Sequence, residues 1–345
     1  PFSSKMASKA ASRDNLIQYV QIDGLVALKI IKHCHEESAG GSDLVQGVLL
    51  GLVAETANDK ILEITNCFPF PRHNEDEEFD EVQYQMEMMK NLRHVNIDHL
   101  HVGWYQSTNL GSFINRAFLE SQFIYQHSIE ESVVLIYDPN RTTKGQLSLK
   151  AFRLTQAMME LYESTDFSPE SIKASKMSFN KMFQEIPVVL RNSHLCNVLL
   201  CDLEEMAPSA PQTTQFLDLA TSSYLEKKTK LLMGCVDDLS QDCNKYFNFQ
   251  RQAAKQNQAK QQYLMKRQAE NQSRVGRGEQ PLGDDDINKM FKPLVAPPRL
   301  DSLLTSSQID RYTKQINEFS AQSFGKLFMS ECLQEERNTP DGPRS

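Results

Sequence analysis

Two histidines, His99 and His101, have the spacing of a paired metal site on a β-strand. Side chains two residues apart on a strand point to the same face, so their imidazoles can share one ion. A zinc site needs at least a third protein ligand, and the nearest candidates are Asp98, on the opposite face, and His94, in the preceding turn. Neither has a convincing spacing. The residues alone therefore favour histidines packed in or beside the core over a metal centre.

The elements around this pair predict a mixed α/β unit. Continuous apolar runs are typical of strands buried on both faces, with helices packed around the sheet. Such runs occur at 45–53, 61–68 and 132–138. The alternation from Asn96 to Tyr105 predicts a strand that carries both histidines. A helix is predicted over 80–93, with an apolar stripe of Val82, Met86 and Met89.

From residue 156 onward the pattern predicts helices alone. Short connecting helices and a loop are expected over 156–214, followed by a long helix over 215–280 whose end is rich in Gln, Lys and Arg. A Pro- and Gly-rich hinge at 281–300 precedes a last helix over 301–338. The long helices carry apolar stripes that this part of the chain is too thin to bury alone, so packing on partner helices is expected. The stripes are Leu225, Leu232, Val236, Leu239, Cys243 and Tyr246 in the first, and Ile309, Tyr312, Ile316, Phe319, Phe324 and Leu327 in the second.

Composition excludes several classes of protein. The net charge of −8 gives no overall attraction to nucleic acid or anionic membranes. Seven cysteines without C-x-x-C spacing indicate reduced thiols, not a disulfide framework or a zinc finger. No segment approaches the roughly twenty apolar residues that cross a bilayer, so a cytoplasmic protein is predicted. Residues 1–17 and 339–345 are predicted to be disordered.

Gly103-Trp104-Tyr105, followed by a polar triplet, resembles the centre of an MPN (JAB1/MPN/Mov34) domain. Residues 45–51 are similar to the second strand of that family, and 133–139 followed by 147–153 are similar to its late strand pair. The resemblance covers roughly 18–155. It implies a central mixed β-sheet with flanking helices, followed here by an all-α C-terminal helical extension.

Active members of this family are zinc isopeptidases that cut ubiquitin-like tails from lysine. The resemblance places their two zinc-binding histidines at Gln106 and Thr108, the serine at Arg116, the aspartate at Leu119 and the glutamate base at Leu44. These side chains cannot replace two imidazoles, a carboxylate and a base. The tempting His99 lies seven residues before the first ligand position. The resemblance therefore implies that the chain is not an enzyme, with no catalytic, metal-binding or cofactor-binding residue and no cofactor.

Longer stretches at 62–71, 80–89, 96–108 and 319–329 resemble a non-catalytic MPN subunit of eukaryotic translation initiation factor 3. This resemblance implies pairing with the MPN domain of the factor's F subunit and helical-bundle contacts with PCI subunits. Through the complex it implies binding to the small ribosomal subunit, assembly of the pre-initiation complex and mRNA recruitment, with no membrane partner.

Two alternatives stay open beside that interpretation. A non-catalytic MPN subunit of a proteasome-lid or signalosome assembly shares the same plan of one MPN domain and C-terminal helices. The basic segment 245–277, which interleaves aromatic residues, is in addition a candidate for contact with rRNA or mRNA, although a solvated helix face is favoured there.

Overall fold

Eight strands form one mixed sheet, in the spatial order β7-β6-β5-β4-β2-β3-β1-β8. A computed structural model describes residues 17–39, 44–55, 60–71, 80–97, 100–143, 146–206, 217–278, 291–292 and 294–338. The strands are β1 (Ile17–Asp23), β2 (Gln46–Glu55), β3 (Lys60–Pro69), β4 (His101–Ser107), β5 (Val133–Tyr137), β6 (Leu149–Leu154), β7 (Phe183–Ile186) and β8 (Val188–Arg191). Neighbours pair in parallel in β1·β3, β1·β8 and β4·β5, and antiparallel in the rest.

A single bent segment closes the sheet on itself. Strands β7 and β8 are separated in sequence by Pro187 alone, yet they lie at opposite ends of the strand order. The Pro187 carbonyl accepts a hydrogen bond of 2.9 Å from the Val20 amide of β1. Proline suits this bend because it has no amide hydrogen to leave unpaired. The sequence predicted only short helices and a loop here, and these two strands were missed because each has only four residues.

Helices surround the closed sheet and extend from it. They are α1 (Gly24–Ala39), α2 (Glu81–His94), α3 (Arg116–Ser128), α4 (Pro139–Thr142), α5 (Gln156–Ser164), α6 (Pro169–Ala174), α7 (His194–Met206), α8 (Glu226–Gly276) and α9 (Leu300–Asn338). A 3-10 turn spans Phe179–Lys181 and a π-helical turn spans Thr221–Leu225. The predicted mixed sheet with flanking helices and a C-terminal helical extension is confirmed. No helix in the described part of the chain is long and apolar enough to cross a membrane.

The start of α2 is where its sequence predicts, but the helix is rotated about its axis. The Asp80 carboxylate caps it by accepting hydrogen bonds from the first-turn amides. Tyr84, Met88 and Leu92 pack on the sheet together with Met89. Val82 and Met86 of the predicted stripe are instead 63% and 58% exposed. The side of α2 that packs on the sheet is the one that carries the Tyr84 ring and the larger number of apolar side chains.

Helices α8 and α9 lie antiparallel. The Arg299 guanidinium, just before α9, stacks over the Tyr246 ring of α8 at 4.8 Å. At the other end the Phe319 ring lies 4.8 Å from the Tyr224 ring, and the Lys326 ammonium donates to the Asp218 carbonyl at 2.9 Å. Beyond that point α9 has run past the start of α8.

Three members of the predicted apolar stripes are therefore exposed. Phe324 and Leu327 of α9 are 63% and 49% exposed because they lie at or near the end of the α8 contact, and Val236 of α8 points away from it at 47%. Of the predicted disordered ends, residue Ile17 is buried in β1. Residues 1–16 and 339–345, and most of the predicted hinge, lie outside the described residues.

Candidate functional site

Gly103-Trp104-Tyr105 anchors β4 in both cores of the protein. A Cβ on Gly103 would lie 2.0 Å from the Val133 carbonyl oxygen, so the close approach of β5 requires glycine. The Trp104 indole points to one face and donates to the Gln122 side chain at 2.8 Å. The Tyr105 hydroxyl points to the other face, where it lies 2.9 Å from His33 Nδ1. The motif is explained by packing alone.

The two histidines of the apparent metal pair are not placed on one described strand. Strand β4 begins at His101 and not at Asn96, which instead adopts a left-handed turn with φ of 57°. His99 lies outside the described residues. His101 Nε2–H donates to the Gly103 carbonyl at 2.8 Å, and its ring meets the Tyr125 ring at 5.2 Å. Burial lowers the pKa of His101 although the Gly103 hydrogen bond opposes this, so the ring is a packed, neutral element of the structure.

Gln106 and Thr108, where the family resemblance expects zinc ligands, are only 3% and 2% exposed. The Gln106 side-chain oxygen Oε1 accepts from Gln46 Nε2 at 3.2 Å, which links β4 to β2. The Thr108 amide donates to the Tyr137 carbonyl at 2.9 Å, yet its Oγ1 has no partner. Within the described part of the chain, no cluster of three or more His, Cys, Asp and Glu side chains has the geometry of a metal site.

The remaining positions of the expected active site lie just before β2 and in α3. The Ser107 amide donates to the Val45 carbonyl at 2.8 Å, and this register brings Leu44 beside the end of β4. Leu119 of α3 is fully buried in the core, whereas Arg116 at the start of that helix is exposed. The structure therefore places Leu44 beside the end of β4, and Arg116 and Leu119 in the first turn of α3.

Helix α9 covers the loop that follows Gln106-Ser107-Thr108, which is called the degenerate motif because it holds two of the expected ligand positions without their histidines. Gln308 donates to the Gly111 carbonyl at 2.8 Å and accepts from the Ile114 amide at 2.9 Å. Leu300 and Leu304 extend the core around Trp104. The sequence pattern placed α9 against partner helices and did not predict this intramolecular contact. The available signal was the helical spacing of three polar residues, which places them on one side of α9. These buried residues are Gln308, Tyr312 and Gln315, which are 4%, 1% and 9% exposed.

Ion pairs fix α9 to the end of the sheet. Arg311 of α9 contacts Glu185 of β7 at 2.6 Å, and Glu318 contacts the buried Arg141 of α4 at 2.9 Å. Lys150 of β6 contacts Glu185 at 3.2 Å and Glu318 at 3.8 Å. The pairs therefore form one network that joins α9, α4 and two strands.

Asp138 lies buried at the centre of this region. Burial raises the pKa of its carboxyl group, while Lys228 of α8 and Arg141 act in the opposite direction. Lys228 is itself fully buried and donates to the Tyr224 hydroxyl at 2.9 Å. Charged groups from α4 and α8 thus meet beneath α9, beside the degenerate motif.

Comparison with known proteins identifies two family regions. Residues 15–131 match the model of the JAB1/Mov34/MPN/PAD-1 ubiquitin protease family, and residues 142–339 match the model described as the C-terminal region of eIF3h. The chain is 58% identical over 332 residues to the H subunit of eukaryotic translation initiation factor 3 from Nematostella vectensis, covering 96% of this chain and 98% of that protein. The chain belongs to the H-subunit family of eukaryotic translation initiation factor 3.

Further members of the H-subunit family show the same end-to-end similarity. The H-B subunit of Danio rerio is 56% identical over 333 residues, with 96% of this chain and 98% of that protein covered. The H subunit of Culex quinquefasciatus is 47% identical over 335 residues, with 95% and 98% covered. The resemblance drawn from the sequence is confirmed, and the proteasome-lid or signalosome alternative is not favoured.

The C-terminal region that characterises the H-subunit family is not a separate structural unit. Its matched residues 142–339 include strands β6, β7 and β8 as well as α9. The same region therefore closes the sheet of the MPN domain and covers its degenerate motif. In this chain the extension and the MPN domain are folded together.

Proposed function

We propose that this chain is a non-catalytic structural subunit of translation initiation factor 3 that supports pre-initiation complex assembly on the small ribosomal subunit and mRNA recruitment. The similarity to H-subunit relatives supports the role as a subunit of this factor. One observation supports the absence of catalysis. Gln106 and Thr108 are buried at the end of β4, at the positions where the family resemblance expects the zinc ligands of an active MPN enzyme. The relatives are named as translation factors, which supports a cytoplasmic location.

The lack of catalysis is testable on the full-length chain. Leucine at positions 44 and 119 supplies neither a base nor a ligand, and neutral Gln106 and Thr108 leave no imidazole for zinc. We expect the purified chain to contain substoichiometric zinc and to leave a linear or isopeptide-linked diubiquitin uncut. Stoichiometric zinc that disappears in a His99→Ala, His101→Ala variant, together with cleavage, would overturn the proposal.

Pairing with the MPN domain of the F subunit is proposed to use α7 and α1. Helix α7 has no buried residue, and five of its apolar side chains are more than half exposed. These are Leu195 (83%), Val198 (59%), Leu199 (56%), Leu203 (51%) and Met206 (78%). The start of α7 lies near that of α1, because Asn192 contacts Gly24 closely enough to exclude a Cβ there. Leu25 and Leu28 of α1 are about half exposed, so both helices offer apolar surface on one side of the domain, as protein interfaces require.

Contacts with the PCI helical bundle are proposed to use the end of α9. Around Lys326 and beyond it the helix extends past α8, and several of its exposed side chains are large and apolar. Phe324, Phe328 and Leu333 are 63%, 67% and 50% exposed. A projecting helix with such a surface is suited to packing in a bundle of helices from several chains.

Contact with rRNA or mRNA by residues 245–277 is a second candidate function. Residues 251–277 hold seven Lys or Arg side chains and a single acid, Glu270, within a chain whose net charge is −8. Two aromatic side chains of the segment are already engaged within the protein, because Tyr246 lies under Arg299 and Tyr263 lies 6.0 Å from Phe291. The interaction that this helix supports is therefore electrostatic contact with phosphates.

A further inference from the structure

The segment that leads into α9 lies along α8 and is fixed to it at both ends. Its described part, residues 291–292 and 294–299, is called the return segment. At one end the Phe291 ring lies 6.0 Å from the Tyr263 ring, and at the other the Arg299 guanidinium lies 4.8 Å from the Tyr246 ring. Between these contacts the Lys292 carbonyl accepts a hydrogen bond from a glutamine side chain of α8.

The distance between the two ring contacts matches an extended chain. Tyr263 and Tyr246 are 17 residues apart in α8, which is about 26 Å along the helix axis. From Phe291 to Arg299 the chain advances eight residues, which span about 25 Å in the polyproline II conformation. The α8 contacts therefore hold the return segment extended.

The sequence of the return segment favours the polyproline II conformation. Proline fixes its own φ near −65°, and the residue before a proline is restricted to extended backbone. Pro297 and Pro298 impose these limits on themselves and on Ala296. Residues 294–299 form neither helix nor strand, which agrees with a conformation that has no internal hydrogen bonds.

The exposure of the return segment has the period of polyproline II. That conformation has three residues per turn, so side chains three residues apart lie along one edge. Lys292, Val295 and Pro298 have this spacing and are all exposed, with Val295 at 88%. Ala296 and Arg299, also three residues apart, are partly buried. One edge of the return segment therefore lies against α8, and another faces solvent.

An exposed polyproline II edge is the surface that proline-recognition domains bind. Such a domain holds its ligand in a groove lined by aromatic rings. Leu294 and Val295 form one adjacent apolar pair, and Pro297 and Pro298 form a second pair one turn later, so each pair can fill one slot between rings. Because α8 already holds the segment in this conformation, binding requires little further ordering of its backbone.

Charge selects the kind of groove. Lys292 is exposed at the start of the solvent-facing edge, one turn before Val295. A groove with carboxylates at one end would meet the lysine there, which fixes the direction of the bound segment. We propose that the return segment is a preformed docking site for an SH3-type domain whose aromatic groove is flanked by acidic side chains.

Docking is tested by titrating the full-length chain into a panel of purified, isotope-labelled SH3 domains and following their amide NMR shifts. We expect at least one domain to show saturable shifts confined to its aromatic groove. The full-length chain should bind more tightly than a peptide of residues 290–300, because only the chain holds the segment in place. The proposal is overturned if no domain binds the chain with a Kd below about 1 mM, or if the peptide binds at least as tightly as the chain.

Variants locate the contact on the solvent-facing edge. Val295→Glu places a charge between aromatic rings and should weaken binding at least about tenfold, whereas Val275→Glu makes the same change at a 62% exposed valine of α8 and should not. Lys292→Glu should weaken binding and remove its sensitivity to salt. Lys90→Glu, on the exposed side of α2, is the matched control for that charge reversal. Equal effects of the return-segment variants and their controls would contradict the proposal.

Discussion

The side-chain amide of Gln308 bonds both the Gly111 carbonyl and the Ile114 amide, 197 and 194 residues earlier in the chain. One residue of the C-terminal helix thereby satisfies two backbone groups of the loop that follows the degenerate motif. Helix α9 therefore packs on this loop within the same chain.

Replacing Gln308 with leucine should destabilise the protein. The change removes both hydrogen bonds and leaves the buried Ile114 amide without a partner, at a cost of about 2–4 kcal/mol in the free energy of unfolding. Urea unfolding followed by circular dichroism measures this loss. The control is Gln322→Leu on the exposed side of the same helix, for which a change below about 0.5 kcal/mol is expected. Equal losses in the two variants would show that the Gln308 contact is not specific.

Truncation should reveal that the sheet depends on residues after 155. A chain ending at residue 155 lacks β7 and β8, which bond the two ends of the strand order. We expect it to show weak amide protection against hydrogen exchange, whereas a chain ending at residue 206 keeps protected strands. Equal protection of the strands in the two truncated chains would contradict this dependence.

A chain ending at residue 224 tests the contribution of α9 separately. It keeps the closed sheet but loses Leu300 and Leu304 from the core around Trp104, so it should unfold at lower urea than the full chain. It should also fail to recover the PCI subunits of the initiation factor, because α8 and α9 are missing. Unchanged stability, or stoichiometric recovery with the factor, would contradict the assigned role of these helices.

Acidification should weaken the fold through His101. Burial lowers the pKa of this residue below its ordinary value of 6.5, so the unfolded chain binds a proton that the folded chain does not. The free energy of unfolding should therefore fall as pH drops through about 6.5. Urea unfolding at neutral and mildly acidic pH should show a smaller pH effect in His101→Asn than in the unaltered chain. His35→Asn, on the exposed side of α1, should retain the full effect, and a loss of pH dependence in both variants would refute the assignment to His101.

The basic end of α8 should bind RNA in a strongly salt-dependent manner. Changing the exposed Lys255 and Lys266 to glutamate removes two phosphate contacts and should reduce the slope of log affinity against log salt by about 1.4 for single-stranded RNA. Fluorescence anisotropy with polyuridine measures this slope. The control changes Lys32 and Lys90 to glutamate, which alters net charge equally at sites elsewhere. Equal loss in both variants would reduce the effect to overall charge and remove the proposed RNA contact.

The sequence was sufficient for the elements with a strong local signal. Asp80 marks the start of α2, and the continuous apolar run at Val133–Tyr137 is a fully buried strand. What it lacked was tertiary information. The bend at Pro187 joins two four-residue strands, which are too short to show an alternating apolar pattern. They find their partners only in the closed sheet. The side of α9 that packs inward holds Gln308 and Gln315, which an apolar pattern ignores.

The metal-site hypothesis shows the same limit. His99 and His101 have a suitable spacing, but a spacing does not place them on a strand, and β4 begins only at His101. The positions that matter, Gln106 and Thr108, were found by family resemblance and not by any feature of their own. Their burial was not foreseen.

A structural role in initiation factor 3 is tested most directly by affinity purification of the tagged, full-length chain followed by quantitative mass spectrometry. We predict stoichiometric recovery of initiation factor 3 subunits by the unaltered chain and by a Val82→Glu, Met86→Glu control on exposed α2. A Leu199→Glu, Leu203→Glu variant of α7 should lose the F subunit. Recovery of proteasome-lid or signalosome subunits in their place, or full recovery of the F subunit by the α7 variant, would contradict the proposed role.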